Sequence, residues 1–307
     1  MNFVVLDLEW NQCPYGKAHE EKDLPFEIIE IGAVRLNESH EIIDRFSEIV
    51  RPKVYTSLHF RTSEVVHLKN IDFKEARYFP QVFSDFWEWC GDDPVFCTWG
   101  PADLIELQRN LTYHGMENPF TFPLFYYDIQ KIFSIVFEDR KTRRSLEYVV
   151  DYLNLPKDIP FHDAWSDAIY TAMIMKHLTT EQILDNSSID YFRTPGNRLS
   201  EIYVKYQTYS KFISKPYDSK VQAMRDKIIT STVCPECGKI VSKKLPWFSH
   251  GSRNYYCVSL CKDHGHLKGK IRIRQRRDGK YYAVKTIKPV SIEEALLIKE
   301  RKTTKRH

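Results

Sequence analysis

Apolar and polar residues alternate along the first fifty positions in a way that predicts three strands in succession, 3–8, 28–36 and 42–50. The turn residues Asn37, Glu38, Ser39 and His40 make the second and third an expected antiparallel hairpin. After a loop the period lengthens. A helix is expected over 80–90, stopped by Gly91, then a short apolar strand over 94–98 and a helix over 102–113. Residues 125–128 read as a further strand with a helix after it. Ser145 is placed to cap a helix over 146–153, which Leu155-Pro156 ends, and a last amphipathic helix is expected over about 164–178.

This alternation of strands and helices predicts an α/β domain over 1–180. Residues 181–230 are more polar, broken at Pro195-Gly196 and Pro216, and are expected to form a mostly helical connector. Residues 231–290 read as a small separate module, and 291–307 as a short helix over 292–301 with a disordered basic tail over 302–307.

Composition adds limits. The chain has 307 residues, 42% apolar and 14% aromatic, enough to bury a sizeable core. It has no long uninterrupted apolar run, so no membrane span is expected. The first residues pass directly into a strand without a basic region and cleavage site, so a cytoplasmic protein without a signal peptide is expected. The net charge of +4 conceals a division: residues 1–180 hold 18 Lys and Arg against 29 Asp and Glu, and the remainder 27 against 12. A strongly basic second part suits a polyanionic ligand.

Candidate chemistry sits at three places in the first part. Asp7 and Glu9, two apart at the end of an apolar strand, share one face. Paired carboxylates there repel unless a cation compensates, and hard divalent cations prefer oxygen ligands. Asp103 opens a helix after the turn Gly100-Pro101. His162 and Asp163 precede the last helix, with Asp167 on it among the small residues Ala168, Thr171 and Ala172. Asp128, Asp163 and Glu30 are expected to cap or hydrogen-bond structurally.

The set Asp7-x-Glu9, Asp103 and His162-x-Ala164-x-x-Asp167-Ala168 resembles the motifs of the DEDDh exonuclease superfamily, which includes ribonuclease T, oligoribonuclease and polymerase proofreading subunits. Glu27-Ile28-Ile29-Glu30-Ile31-Gly32-Ala33-Val34 and Asp7-Leu8-Glu9-Trp10-Asn11 are most similar to its Eri/KapD-like branch, whose better-known members act on RNA. The resemblance implies an RNase H-like fold, a mixed five-stranded sheet with helices on both faces. It implies that Asp7, Glu9, Asp103 and Asp167 hold two Mg²⁺ or Mn²⁺ ions about 4 Å apart. One ion would activate water and the other stabilise the departing 3′ oxygen. His162 would be the general base, the reaction 3′→5′ hydrolysis to nucleoside 5′-monophosphates, and the partner single-stranded RNA or DNA with a free 3′ end, RNA favoured. Many relatives carry Thr after the Glu of the first motif, where it holds the terminal nucleotide. Trp10-Asn11 stands here instead, and Trp10 either stacks on a base or joins the core.

The module over 231–290 is read from its cysteines. Cys234-Pro235-Glu236-Cys237-Gly238 has the spacing of a zinc knuckle, and Cys261-Lys262-Asp263-His264-Gly265 repeats its form. One structural Zn²⁺ on Cys234, Cys237, Cys261 and His264 is favoured, with Cys257 the alternative to His264. Cys13, Cys90 and Cys97 lie among apolar neighbours and read as buried thiols. Lys270, Arg272, Arg274 and Arg276 alternate with apolar residues, so a strand would align them on one basic face, and Asp278-Gly279 would turn it into the two-stranded hairpin of a zinc ribbon. That face is expected to bind nucleic acid. A second reading, an adaptor that binds nucleic acid or protein on an exonuclease-like scaffold with little activity, leaves the complete carboxylate and histidine set without a purpose.

Overall fold

Strict alternation in the first strand divides the sheet's two faces. The computed structural model describes residues 2–65 and 73–303, and the chain separates into two units, Met1–Phe192 and Arg193–His307. In the first unit β1 (Phe3–Gln12), β2 (Phe26–Leu36) and β3 (Ile42–Arg51) form an antiparallel meander. Then come α1 (Phe60–Val65), β4 (Arg77–Tyr78), α2 (Phe79–Cys90), β5 (Val95–Thr98), α3 (Ala102–Tyr113), β6 (Phe125–Asp128) and α4 (Ile129–Phe137). They are followed by α5 (Leu146–Tyr152), α6 (Ala164–Met175), α7 (Thr180–Leu184) and β7 (Ser188–Ile189). The sheet order is β4-β3-β2-β1-β5-β6-β7, with β5 parallel to β1 and β6 parallel to β5.

Val4, Leu6 and Leu8 pack with Phe79, Phe83 and Phe86 of α2 and Leu104, Leu107 and Leu111 of α3. Phe3 and Val5 pack with residues of α4, α5 and α6 on the opposite face. Burying each such side chain contributes about 1.5–3 kcal/mol. Asp7 and Glu9 continue the odd-numbered set, so the pleat that builds the core also aims both carboxylates toward α6. Ser145 caps α5 by accepting from the Tyr148 N–H at 3.3 Å.

The RNase H-like architecture with helices on both faces is present, and the five expected strands gain two at the edges. Strands β4 and β7 are two residues long, too short for any periodicity to mark them. The loop after β3 also carries the short helix α1.

The second unit departs further from expectation. Strands β8 (Ile202–Lys205) and β9 (Ser210–Ile213) lie in the stretch read as a helical connector. Helices α8 (Lys220–Arg225) and α9 (Lys227–Thr230) follow, then β10 (Ser242–Ser249), β11 (Asn254–Cys261), β12 (Gly265–Gln275), β13 (Tyr281–Pro289) and α10 (Ile292–Thr303). All join as one antiparallel sheet ordered β10-β11-β12-β13-β9-β8. The expected two-stranded hairpin, β12 with β13, is therefore the centre of a six-stranded sheet. A lone hairpin is marginal in water, and β11 and β9 supply backbone partners at its two edges. Ala223 and Ile229 from α8 and α9 pack on Ile271, Ile273 and Ala283, while Ala295 and Ile298 of α10 pack on Leu245 and Val258. Of the expected tail, residues 302 and 303 end α10, and 304–307 lie outside the described residues. No described helix is long and apolar enough to cross a membrane.

Candidate functional site

Close backbone packing brings the carboxylates together. A methyl group added at Gly32 would stand 2.1 Å from the Ala164 carbonyl carbon and the Trp165 nitrogen, so only glycine lets the first turn of α6 rest on β2. Gly32 is the cross-strand neighbour of Asp7, and Glu30 that of Glu9. Glu30 accepts a hydrogen bond from the Ala164 N–H at 3.2 Å, and Asp163 caps the same helix by accepting from Ser166 N at 2.9 Å. Helix α6 is thus fixed at its N-terminus, with Asp167 over β1.

Ligand atoms of Asp7, Glu9 and Asp167 all lie within 4.8 Å of one another. Asp103 stands outside that triad, buried in the first turn of α3, where its carboxylate accepts from the Leu8 backbone N–H and repels Asp7. His162 is exposed on a left-handed turn at φ 64°, and its backbone N–H donates to Asp167. Asp128 caps α4 through Lys131 N at 2.8 Å. Trp10 packs partly buried against the core, 5.8 Å from the Phe26 ring.

The electrostatics are those of unbalanced negative charge. Burial, then the Asp103, Asp167, Glu9 and Glu30 carboxylates, push Asp7 well above the usual carboxylate range. Burial with Asp167 and Glu30 nearby raises Glu9 to about 8. Burial likewise raises Asp103 and Asp167 to about 7, against the backbone N–H groups that donate to them. Glu30 rises to about 7 through burial and Asp163. Oδ1 of Asp167 is buried with no hydrogen-bond partner among the described residues. An orphaned carboxylate oxygen facing further carboxylates fits a divalent cation, the one kind of group that satisfies both the lone pairs and the charge.

Two residues that the sequence reading quoted within motifs but gave no role tie down a neighbouring segment. Asn11, fully buried, donates to the Tyr55 and Ser57 carbonyls at 2.9 Å each and accepts from His59 N. Glu27 accepts from the backbone of Lys53, Val54 and Tyr55. Both pin the segment after β3 to the ends of β1 and β2. Polar residues interrupting otherwise apolar strands were the available signal.

In the second unit the structure gathers Cys234, Cys237, Cys261 and His264 within 4.8 Å. Cys234 N donates to Lys239 O and Gly238 N to Cys234 O, both at 2.9 Å, in a tight turn that uses Gly238 at φ 71°. The Cys237 and Cys261 sulfurs are 3.7 Å apart, and His264 Nδ1 lies 3.7 Å from Cys234 Sγ and 3.6 Å from Cys261 Sγ. A tetrahedral zinc site has edges of about 3.5–3.8 Å, so this donor set fits one. Burial opposes ionisation of Cys261, yet the His264 ring, neighbouring N–H groups and Cys237 pull its thiol down to about 6. Cys257 is elsewhere: its sulfur lies 3.8 Å from Thr232 Oγ1 and 2.5 Å from where a side chain at Gly269 would begin. It belongs to the core, because it points to the sheet face that Gly269 leaves hollow.

The basic face is smaller than expected. Lys270 and Arg272 are exposed on β12, whereas Arg274 is half-buried. Arg276 lies beyond the strand's end, where it donates to the Pro195 carbonyl at 3.4 Å and pairs with Asp278 at 3.2 Å. The turn that begins at Arg276, after the end of β12, ends the alternation on which the four-residue row depended.

Residues 4–175 match the model of the RNase T exonuclease family, described as exonuclease. No curated protein matches the chain. Among solved structures, the nuclease domain of 3′hExo, a DEDDh family member bound to rAMP, is similar with 21% identity and a TM-score of 0.51, over 62% of this chain and 96% of that one. Cell-death related nuclease 4 is similar with 20% identity and a TM-score of 0.47, over 62% of this chain and 66% of that one. The 3′-exonuclease of a histone mRNA stem-loop recognition structure follows, with 19% identity and 0.48, over 63% and 92%. With the family's model spanning more than half of its length, this chain belongs to the RNase T exonuclease family.

Proposed function

We propose that the protein is a 3′→5′ exonuclease that releases nucleoside 5′-monophosphates from single-stranded nucleic acid, RNA in preference to DNA. The observation that carries this reading is the convergence of Asp7, Glu9 and Asp167, with Asp103 beside them, around an unpartnered carboxylate oxygen. These residues would hold two Mg²⁺ or Mn²⁺ ions. When bound, such a pair supplies Lewis acidity and neutralises charge at the phosphate. The chain's own part is positioning. Gly32, Glu30 and Asp163 fix the helix that bears Asp167, and β1 delivers Asp7 and Glu9 on one face. His162, exposed at the mouth of the cluster, accepts the proton of the attacking water, a task suited to an imidazole near neutral pH. The likeness of the first two motifs to the Eri/KapD-like branch supports RNA, and the 3′hExo domain of similar fold was bound to rAMP, a nucleotide of the expected product class.

The second unit would hold one structural Zn²⁺ on Cys234, Cys237, Cys261 and His264. Its exposed Lys270 and Arg272 would add nonspecific affinity for the strand.

The test is digestion of 5′-labelled single-stranded RNA and DNA of one sequence with Mg²⁺ or Mn²⁺. A ladder shortening from the 3′ end, with 5′-monophosphates released and RNA consumed faster, is expected. Asp7→Ala and Asp167→Ala should abolish it, and His162→Ala should slow turnover by about 10²–10⁴ while Mn²⁺ binding by calorimetry persists. Release of the labelled 5′ nucleotide first, or near-native turnover by Asp7→Ala, would sink the reading.

A further inference from the structure

The acidic first unit contains one dense basic run, Arg140-Lys141-Thr142-Arg143-Arg144, in the loop between α4 and α5. The loop is ordered by its own hydrogen bonds. Asp139 accepts from Lys141 N at 2.8 Å, Thr142 N at 2.7 Å and Thr142 Oγ1 at 3.1 Å, and Glu138 pairs with Arg144 at 2.7 Å. Arg140, Lys141 and Arg143 are exposed and form no salt bridge within 4 Å among the described residues; Asp139 attracts Lys141, Asp128 attracts Arg143, and the Arg143 guanidinium also donates to the Arg140 and Thr142 carbonyls at 3.5 and 3.2 Å. Three exposed cations within four residues, none of them in a salt bridge, keep the capacity to take an anionic ligand.

Its place in the fold gives the ligand's direction. Gln130 Nε2 donates to the Arg144 carbonyl at 2.8 Å, while Gln130 Oε1 lies 3.6 Å from where a side chain at Gly100 would begin. Gly100 in turn donates its N–H to Asp128, and Asp103 follows it by three residues. The loop therefore stands beside the acidic cluster, at the same end of β5 and β6. On α5, Tyr148 and Tyr152 lie one turn apart, 41% and 48% exposed, with rings 6.4 Å apart and 19° from parallel. The Arg144 guanidinium sits 4.5 Å over the Tyr148 ring. Arg144 covers one face of Tyr148, and half-exposed rings next to exposed cations are what a single strand offers partners for, phosphates to the cations and bases to the rings.

We propose that this loop and the outer face of α5 carry the substrate strand upstream of the scissile bond, Arg140, Lys141 and Arg143 holding internucleotide phosphates and Tyr148 stacking a base. The identity of the strand rests on the exonuclease reading above. A strand approaching a cluster of carboxylates meets repulsion at its 3′ end, and these cations offset it at the next phosphates. A solubilising loop would need neither the aligned tyrosines nor a position beside the cluster.

The test uses the full chain, zinc included. Binding of an oligouridylate of about 20 nucleotides is measured by fluorescence anisotropy in the Asp7→Asn background, and hydrolysis with Asp7 intact. Each variant is first compared with the parent by thermal unfolding, where these exposed positions should change little. Reversing Arg140, Lys141 and Arg143 to Glu should weaken binding at least tenfold and flatten the log–log salt dependence by about 2, since each phosphate contact on a single strand accounts for about 0.7. Tyr148→Ala should weaken binding by about 5- to 150-fold, with Tyr148→Trp restoring it, because loss of one stacked base costs about 1–3 kcal/mol. The ratio of kcat/KM on the long strand to that on a dinucleotide should fall in parallel. Native affinity in both the Glu and the Ala variants would overturn the proposal, as would equal losses on long and short substrates. A chain that binds the strand with this variant pattern yet hydrolyses nothing would refute the exonuclease reading and leave the binding track standing.

Discussion

At the scale of single residues the site stores repulsion. Glu9 at about 8, Asp103, Asp167 and Glu30 at about 7, and Asp7 well above its ordinary range are all raised relative to unfolded carboxylates near 4. A folded value above the unfolded one means that the native state holds protons the unfolded state has released. The associated stability is complete below about pH 4 and is lost as pH rises through the folded values, toward about 8. Without added divalent ions the first unit should therefore melt at a lower temperature at pH 8 than at pH 5.5. Mn²⁺ should stabilise it more at pH 8, where the ion no longer competes with protons. Thermal melts at the two pH values, with and without Mn²⁺, check this, and Asp167→Asn should shrink the difference. Equal Mn²⁺ stabilisation at both would contradict a carboxylate cation site. The candidate ligand residues were legible because their chemistry is written in short motifs. Asn11 and Glu27 showed only as polar interruptions of apolar strands, because the distant backbone that a buried amide or carboxylate ties down leaves no mark in the local sequence.

At the scale of elements, what positions the site is the contact of α6 with β2. Gly32 was legible only as part of a strand; that it stands under the Ala164–Trp165 peptide is a tertiary fact. Gly32→Ala puts a methyl group 2.1 Å from the Ala164–Trp165 backbone, so the helix must shift and carry Asp167 and His162 with it. A destabilisation of about 1–3 kcal/mol or more is expected, together with loss of nuclease activity well beyond the unfolded fraction. Denaturant unfolding and rate measurements on one preparation separate the two effects, and a stable, fully active Gly32→Ala chain would remove the contact from the account. The same scale shows where periodicity fails. Helices α2, α3 and α6 span three turns and declared themselves, while β8 and β9, four residues each, were submerged in a polar stretch. Their strand character comes from the open edge of β13, which needed a partner.

At the scale of the whole molecule, two chemically different sets of candidate metal ligands are divided between the two units. Every carboxylate of the first set lies within Met1–Phe192, and every thiolate and imidazole of the second within Arg193–His307. Hard and soft donors select different ions, so removal of one metal should spare the other. A zinc-selective chelator at constant Mn²⁺ should destabilise the second unit strongly, since structural zinc supplies folding free energy on the order of 10 kcal/mol in small modules. Hydrolysis of a dinucleotide, whose chemistry needs only the first unit in the function proposed above, should persist. Native mass spectrometry should find zinc bound to the parent chain and to Cys257→Ser, whose sulfur packs against Thr232 and Gly269, but not to Cys261→Ala or His264→Ala. Limited proteolysis should open the segment around Cys234 and Cys237 only in the zinc-free chains, because the turn there is held by two backbone hydrogen bonds. Zinc retained by His264→Ala and lost from Cys257→Ser would exchange the two residues' roles, and loss of dinucleotide hydrolysis with zinc alone would show that the two sets are not independent.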